Sequence, residues 1–144
     1  MKSSDTAKTL AEIIVVDSSV VVATVQGEPD APTWIEVFDQ SSKAVISIVA
    51  FVETSMVICG RRPDPDSREI ASFLDSLGID IVPVTPAQGA AAVAAFLRYG
   101  KGRHRAGLNL CDCFSYALAK VQGAPLLFKG SDFAMTDLVP AWQP

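Results

Sequence analysis

Apolar positions along this chain fall into short solid runs that alternate with longer periodic stretches. Ile13-Ile14-Val15-Val16 is β-branched throughout, too short for a helix and too apolar for a half-exposed strand. It predicts a strand of a parallel sheet, buried on both faces. Residues 44–48, 79–84 and 125–128 predict further strands, and a segment near Leu138 predicts a short fifth. Between them, 18–24, 31–40, 49–61, 67–77, 86–99 and 110–122 predict helices. The punctuation agrees: Asp30 is placed to cap the second helix and Pro63-Asp64-Pro65-Asp66 to break the chain before the fourth. Gly78 and Gly123 stop helices, and Asn109 caps the last one. Strands alternating with helices predict a three-layer α/β/α fold around a central, mainly parallel sheet of four to five strands. One domain over 13–144 suffices, with 1–12 as a flexible N-terminal leader.

Bulk composition narrows the class. A hydrophobic fraction of 49% with 19% charged residues describes a well-cored globule, and no apolar run approaches the length of a membrane span. The first residues lack a signal-peptide pattern, and Cys59, Cys111 and Cys113 lack disulfide-scaffold spacing, so a cytoplasmic, reducing setting is expected. Cys111 and Cys113 point to nearly opposite sides of a helix and do not form a zinc clamp. A net charge of −4 and a pI near 4.8 argue against a protein that coats nucleic acid generally. One local exception is Tyr99-Gly100-Lys101-Gly102-Arg103-His104-Arg105, which gathers cations and the only histidine in a Gly-rich loop. Arg61 and Arg62 read as a solvated helix end.

The acids carry the chemistry. Asp17 closes the first strand, Glu53 lies one turn into the helix after the second, Asp112 sits in the first turn after the Asn109 cap, and Asp132 follows the fourth strand. Each falls near the carboxyl edge of the predicted sheet, where open α/β sheets bind ligands. Glu53 occupies a helix that is apolar on most sides, which predicts burial and a need for a partner. Ionised carboxylates converging on one crevice repel unless a cation joins them, and a hard divalent ion such as Mg²⁺ or Mn²⁺ accepts such oxygens. Ser18 is placed to cap the following helix or to orient a carboxylate. No P-loop, Ser–His pair or His–Cys cluster offers a competing chemistry. A receiver-type signalling domain would need an acid closing the middle strand, whereas Asp80 lies inside its strand.

These residues resemble the PIN-domain nucleases, in particular the VapC toxins of bacterial toxin–antitoxin pairs. The likeness is carried by VVDSS at Asp17, the GEPD loop, VET at Glu53, RYGKGRHRAGLNLCDCFSYALAK and PLLFKGSDFAMTDL. It implies a Mg²⁺- or Mn²⁺-dependent endoribonuclease with Asp17, Glu53, Asp112 and Asp132 as catalytic acids. Asp17, Asp112 and Asp132 are then the implied metal ligands, with Glu53 and Asp137 as further candidates, directly or through water. Lys129-Gly130-Ser131-Asp132 stands where many PIN domains have Thr-x-Asp, so Asp132 and Asp137 both remain candidates for the fourth acid. Ser18 stands where this branch often has Thr, keeping the hydroxyl. Lys101, Arg103 and Arg105 would grip RNA phosphates, with Ser18 and Asn109 supporting the acids. The resemblance further implies a cognate VapB-like antitoxin, a homodimer, and transfer or ribosomal RNA among the substrates. The same fold without turnover, as an RNA- or protein-binding module, is the alternative.

Overall fold

A computed structural model describes residues 12–144; the predicted leader therefore lies, apart from Glu12, outside the described residues. Four strands form one sheet: β1 (Ile13–Val16), β2 (Lys43–Ser47), β3 (Ile79–Val82) and β4 (Leu126–Leu127). Their order is β3-β2-β1-β4 and every pairing is parallel. Six α-helices connect and cover them: α1 (Ser18–Val25), α2 (Ala31–Gln40), α3 (Ile48–Gly60), α4 (Glu69–Ser76), α5 (Pro86–Tyr99) and α6 (Leu110–Gln122).

Strand alternation explains the layers. Ile14, Val16, Ala44 and Ile46 project to one face, packing with Val20, Trp34, Ile58 and Leu74 from α1, α2, α3 and α4. Val15 and Val45 project to the other, packing with Ala92, Tyr99, Tyr116 and Leu118 from α5 and α6. With a core on each face, β1 must be apolar at every position, which is why its sequence shows no alternation.

The fifth strand is corrected to a single bridge. Leu126 donates to the Val139 carbonyl (3.0 Å) and accepts from the Ala141 amide (2.8 Å), flanking a parallel bridge to Pro140. Pro140 has no N–H to extend a ladder. Two caps also differ from expectation. Asp30 makes no side-chain bond to its helix; its carboxylate instead pairs with Lys129 at 3.0 Å. Asp66 accepts from the Arg68 amide (2.9 Å), so the chain turns once more and α4 begins two residues late, at Glu69. Pro83 follows the last residue of β3, which is shorter than predicted.

The basic loop after α5 is held at its base. Lys101 donates to the Leu108 carbonyl and Leu108 to the Tyr99 carbonyl, each at 3.0 Å. His104 Nδ1 accepts from the Ala106 amide, and its ring meets Tyr99 edge-on. Gly100 opens the loop where any Cβ would collide with the Phe96 ring and carbonyl. Gly100→Ala is expected to cost about 1–3 kcal/mol, measured by urea unfolding. A variant as stable as the parent would mean that the loop can move away from Phe96.

Candidate active site

Asp17, Glu53 and Asp132 act electrostatically on a fourth acid, Asp112, near the carboxyl edge of the sheet. Asp17, only 4% exposed, is the residue after β1. Its amide donates to the Leu127 carbonyl (2.9 Å), so the β1–β4 ladder fixes its backbone. Its side chain caps α1, Oδ2 accepting from the Ser19 amide at 3.0 Å. Asp17 is thus the cap, and Ser18 takes the second of its two expected roles: its hydroxyl donates to Glu53 Oε1 at 2.7 Å, joining α1 to α3. Ser19, which sequence reasoning passed over, accepts from the Lys129 amide at 3.0 Å and ties the loop after β4 to the same place. The Asp-Ser-Ser run was the available signal, since short hydroxyl side chains beside a cap are the ones able to bridge to neighbouring segments.

Asp112 enters from α6 through a capping box. Its amide donates to Asn109 Oδ1 (2.9 Å), and its Oδ2 accepts from the Asn109 amide (3.0 Å). Burial pushes its carboxyl up to about 6, against the Asn109 hydrogen bond, and the charges of Asp17, Glu53 and Asp132 add to the rise. That influence places Asp17, Glu53 and Asp132 within electrostatic reach of Asp112. The Cys111 thiol lies beside Glu53 and is raised to about 11 by burial and by the Glu53 charge, so it stays protonated near neutral pH.

Asp137 is drawn elsewhere. Its carboxylate accepts from the Tyr116 hydroxyl (2.5 Å) and from Lys120 (2.8 Å), with Arg98 at 3.5 Å. It remains partly desolvated, but these partners hold it below the usual carboxylate range and push the Tyr116 phenol up. It is not among the charges that raise Asp112.

Among the described residues, no three His, Cys, Asp or Glu side chains stand close enough to form a finished metal cage. The donor chemistry nonetheless suits a hard cation. For both Asp17 and Asp112, one carboxylate oxygen is anchored by a backbone amide, and the other takes no hydrogen bond among the described residues. An anchored carboxylate with a spare oxygen beside like charges is the arrangement that a divalent ion stabilises.

The surroundings are partly basic and partly apolar. Lys101 and Arg105 are exposed, whereas Arg103 donates to the Leu97 carbonyl (3.1 Å) and lies over Phe96. Because Leu108 and Asn109 lead directly into α6, the loop flanks the Asp112 end of the site. Arg62 pairs with Glu69, as befits a solvated helix end. The helix carrying Glu53 is not buried all round. Val52 is 43% and Met56 72% exposed, and with Ile48 and Cys111 they line a 360 Å³ cleft beside Glu53. α3 packs on the sheet and against α1, α4 and α6, and among the described residues no element covers Val52 and Met56.

An acid-lined carboxyl edge on this sheet order defines an α/β/α domain of PIN type. The PIN domain family matches residues 14–138. Ribonuclease VapC30 of Mycobacterium tuberculosis is 46% identical over 125 residues, which are 87% of this chain and 95% of that protein. Among solved structures, VapC20 of M. tuberculosis, a sarcin–ricin loop cleaving toxin, superposes with a TM-score of 0.72 at 19% identity, covering 91% of this chain and 99% of that one. A toxin–antitoxin complex from Klebsiella pneumoniae gives 0.66 at 18% identity, covering 91% and 99%. The chain belongs to the PIN-domain family. Within it, it belongs to the VapC branch.

Proposed function

We propose that this chain is an endoribonuclease toxin that hydrolyses RNA phosphodiester bonds with Mg²⁺ or Mn²⁺ and is silenced by a VapB-like antitoxin. The grouping of Asp17, Glu53 and Asp132 around Asp112 carries the reading, because a carboxyl raised to about 6 by burial and further by three like charges is costly to ionise without a cation. Asp17, Asp112 and Asp132 would hold the ion, with Glu53 acting directly or through water; Asp137, engaged by Lys120, Arg98 and Tyr116, is left out of the set. When bound, the ion supplies charge neutralisation at the phosphate and a more acidic water. The chain's own residues do the positioning. Ser18 fixes Glu53, the Asn109 capping box fixes Asp112, and the β1–β4 ladder fixes Asp17. Lys101, Arg103 and Arg105 offset the repulsion between RNA and this acidic edge.

The catalytic unit is one domain over 13–144, preceded by the leader over 1–12. It acts on cytoplasmic RNA, with transfer or ribosomal RNA as the substrate class; no helix among the described residues is long and apolar enough to cross a membrane. The cleft beside Glu53 is apolar surface suited to the antitoxin, and exposed Val93, Phe96 and Leu97 on α5 with Leu110 suit a second copy of the chain.

The test is cleavage of total and transfer RNA by the purified chain in Mg²⁺ or Mn²⁺, compared with EDTA and with Asp17→Ala. Cleavage that needs both the ion and Asp17 is expected. Protein free of antitoxin that cuts nothing would favour the catalytically silent binding module. Ser18→Ala is expected to lower kcat about tenfold with little change in KM, since it loosens Glu53 without touching the basic loop; an unchanged kcat would leave Glu53 positioned by other contacts.

A further inference from the structure

We propose that the aromatic pocket between α2, the loop after β4 and the final residues captures one unstacked base of the RNA, next to the scissile phosphate. The inference rests on the nuclease reading above and adds to it where a neighbouring nucleotide is held. The pocket, 340 Å³ in volume, is lined by Trp34, Phe128, Lys129, Gly130, Ala134 and Trp142, among others. That is near the small end of ligand pockets, about 300–1,000 Å³, and suits one heterocycle better than an extended ligand. Trp34 is 4% exposed and acts as the floor, while Trp142, 37% exposed, presents ring surface to solvent. The two indoles meet edge to face at 5.3 Å, so Trp34 props Trp142 at a fixed angle.

Two observations connect this pocket with the acids. Asp132 lies in the chain segment between Gly130 and Ala134, which are both pocket residues. The Lys129 amide bonds to Ser19, whose own amide bonds to Asp17. One pocket wall is therefore two hydrogen bonds from the catalytic edge.

Charge selects the kind of group that enters. Among the described residues Lys129 is the one cation lining the pocket, and its ammonium is held between Glu28 (2.5 Å) and Asp30 (3.0 Å), which leaves it no surplus charge for a phosphate. Its role is to pin the loop after β4 to the Gly-Glu-Pro-Asp loop. What remains is apolar ring surface, suited to a neutral planar group. A base stacked on an aromatic side chain fits that description, with the phosphates left to the basic loop.

The experiment uses the Asp112→Asn chain in Mg²⁺ so that RNA stays intact, and follows tryptophan fluorescence. A mixed-sequence single-stranded oligonucleotide is compared with a base-free sugar–phosphate chain of equal length. Quenching by the first and not the second is expected. Trp142→Ala should weaken binding of the base-containing strand about tenfold and leave the base-free strand unchanged, with Trp142→Phe restoring most of the difference. Equal behaviour of the two strands, or no response to either, overturns the pocket without relying on any pocket variant. Cleavage by the parent chain is scored separately. Base discrimination without cleavage would sink the nuclease reading and keep the pocket, and cleavage without base discrimination would do the reverse.

Discussion

Asp112→Asn is expected to lower RNA cleavage at least about 100-fold while making the metal-free protein more stable. The two effects share a cause. Burial, with the charges of Asp17, Glu53 and Asp132 added, disfavours the ionised form of Asp112, and its carboxyl rises from 3.8 to about 6. A carboxyl whose folded pKa exceeds its unfolded one binds its proton more tightly in the folded chain. Its contribution is favourable at and below pH ~4 and is lost as pH climbs from about 4 through about 6. After allowance for solvent screening this amounts to roughly 1–2 kcal/mol. Asparagine keeps the shape and can still accept from the Asn109 amide through its own Oδ1, so the start of α6 survives. Urea unfolding in EDTA, run from pH 4 to 8 on both proteins, should show the parent falling relative to the variant across that window. Parallel curves would mean that neither burial nor its neighbours disfavour ionised Asp112 in the folded chain, and full cleavage by the variant would remove it from the mechanism.

Adding Mg²⁺ or Mn²⁺ should offset that penalty. An ion that binds the folded chain alone stabilises it by about 2.7 kcal/mol at one hundred times its dissociation constant. Because the ion needs an ionised Asp112, the gain should be larger at pH 7.5 than at pH 5 and should shrink in Asp112→Asn. Thermal unfolding with and without millimolar metal measures it. Equal melting temperatures at both pH values would mean that the acids close around an ion only when RNA supplies further oxygens.

Much of this architecture was legible in the chain because its signals are local. Four β-branched residues ending in Asp17 need no tertiary knowledge to read as a buried strand with an acid at its edge. The same holds for Asn109 and Asp112, capping-box partners three positions apart, and for the stops at Gly78 and Gly123. What failed was also instructive. Asp30 looked like a cap, but a lysine 99 residues away competes for its carboxylate. Glu53 looked buried because its helix is apolar on most sides, yet it is half-buried, and Val52 and Met56 on the same helix are exposed among the described residues. The fifth strand shrank to one bridge because Pro140 cannot donate.

The sequence by itself determined the layer order, the strand-ending Asp17, the capped Asp112 and the family, since periodicity, caps and motif spacing are written within a few residues of each other. Only the tertiary structure shows which acids feel one another's charge. Asp132 and Asp137 are five residues apart and equally plausible as strings, but Lys120 and Arg98 draw Asp137 away while Asp132 remains within reach of Asp112. The Ser18–Glu53 bond and the Trp34–Trp142 pair join positions 35 and more residues apart. Such pairings depend on how the layers pack, because charge and ring contacts act through space and carry no mark in the order of the chain.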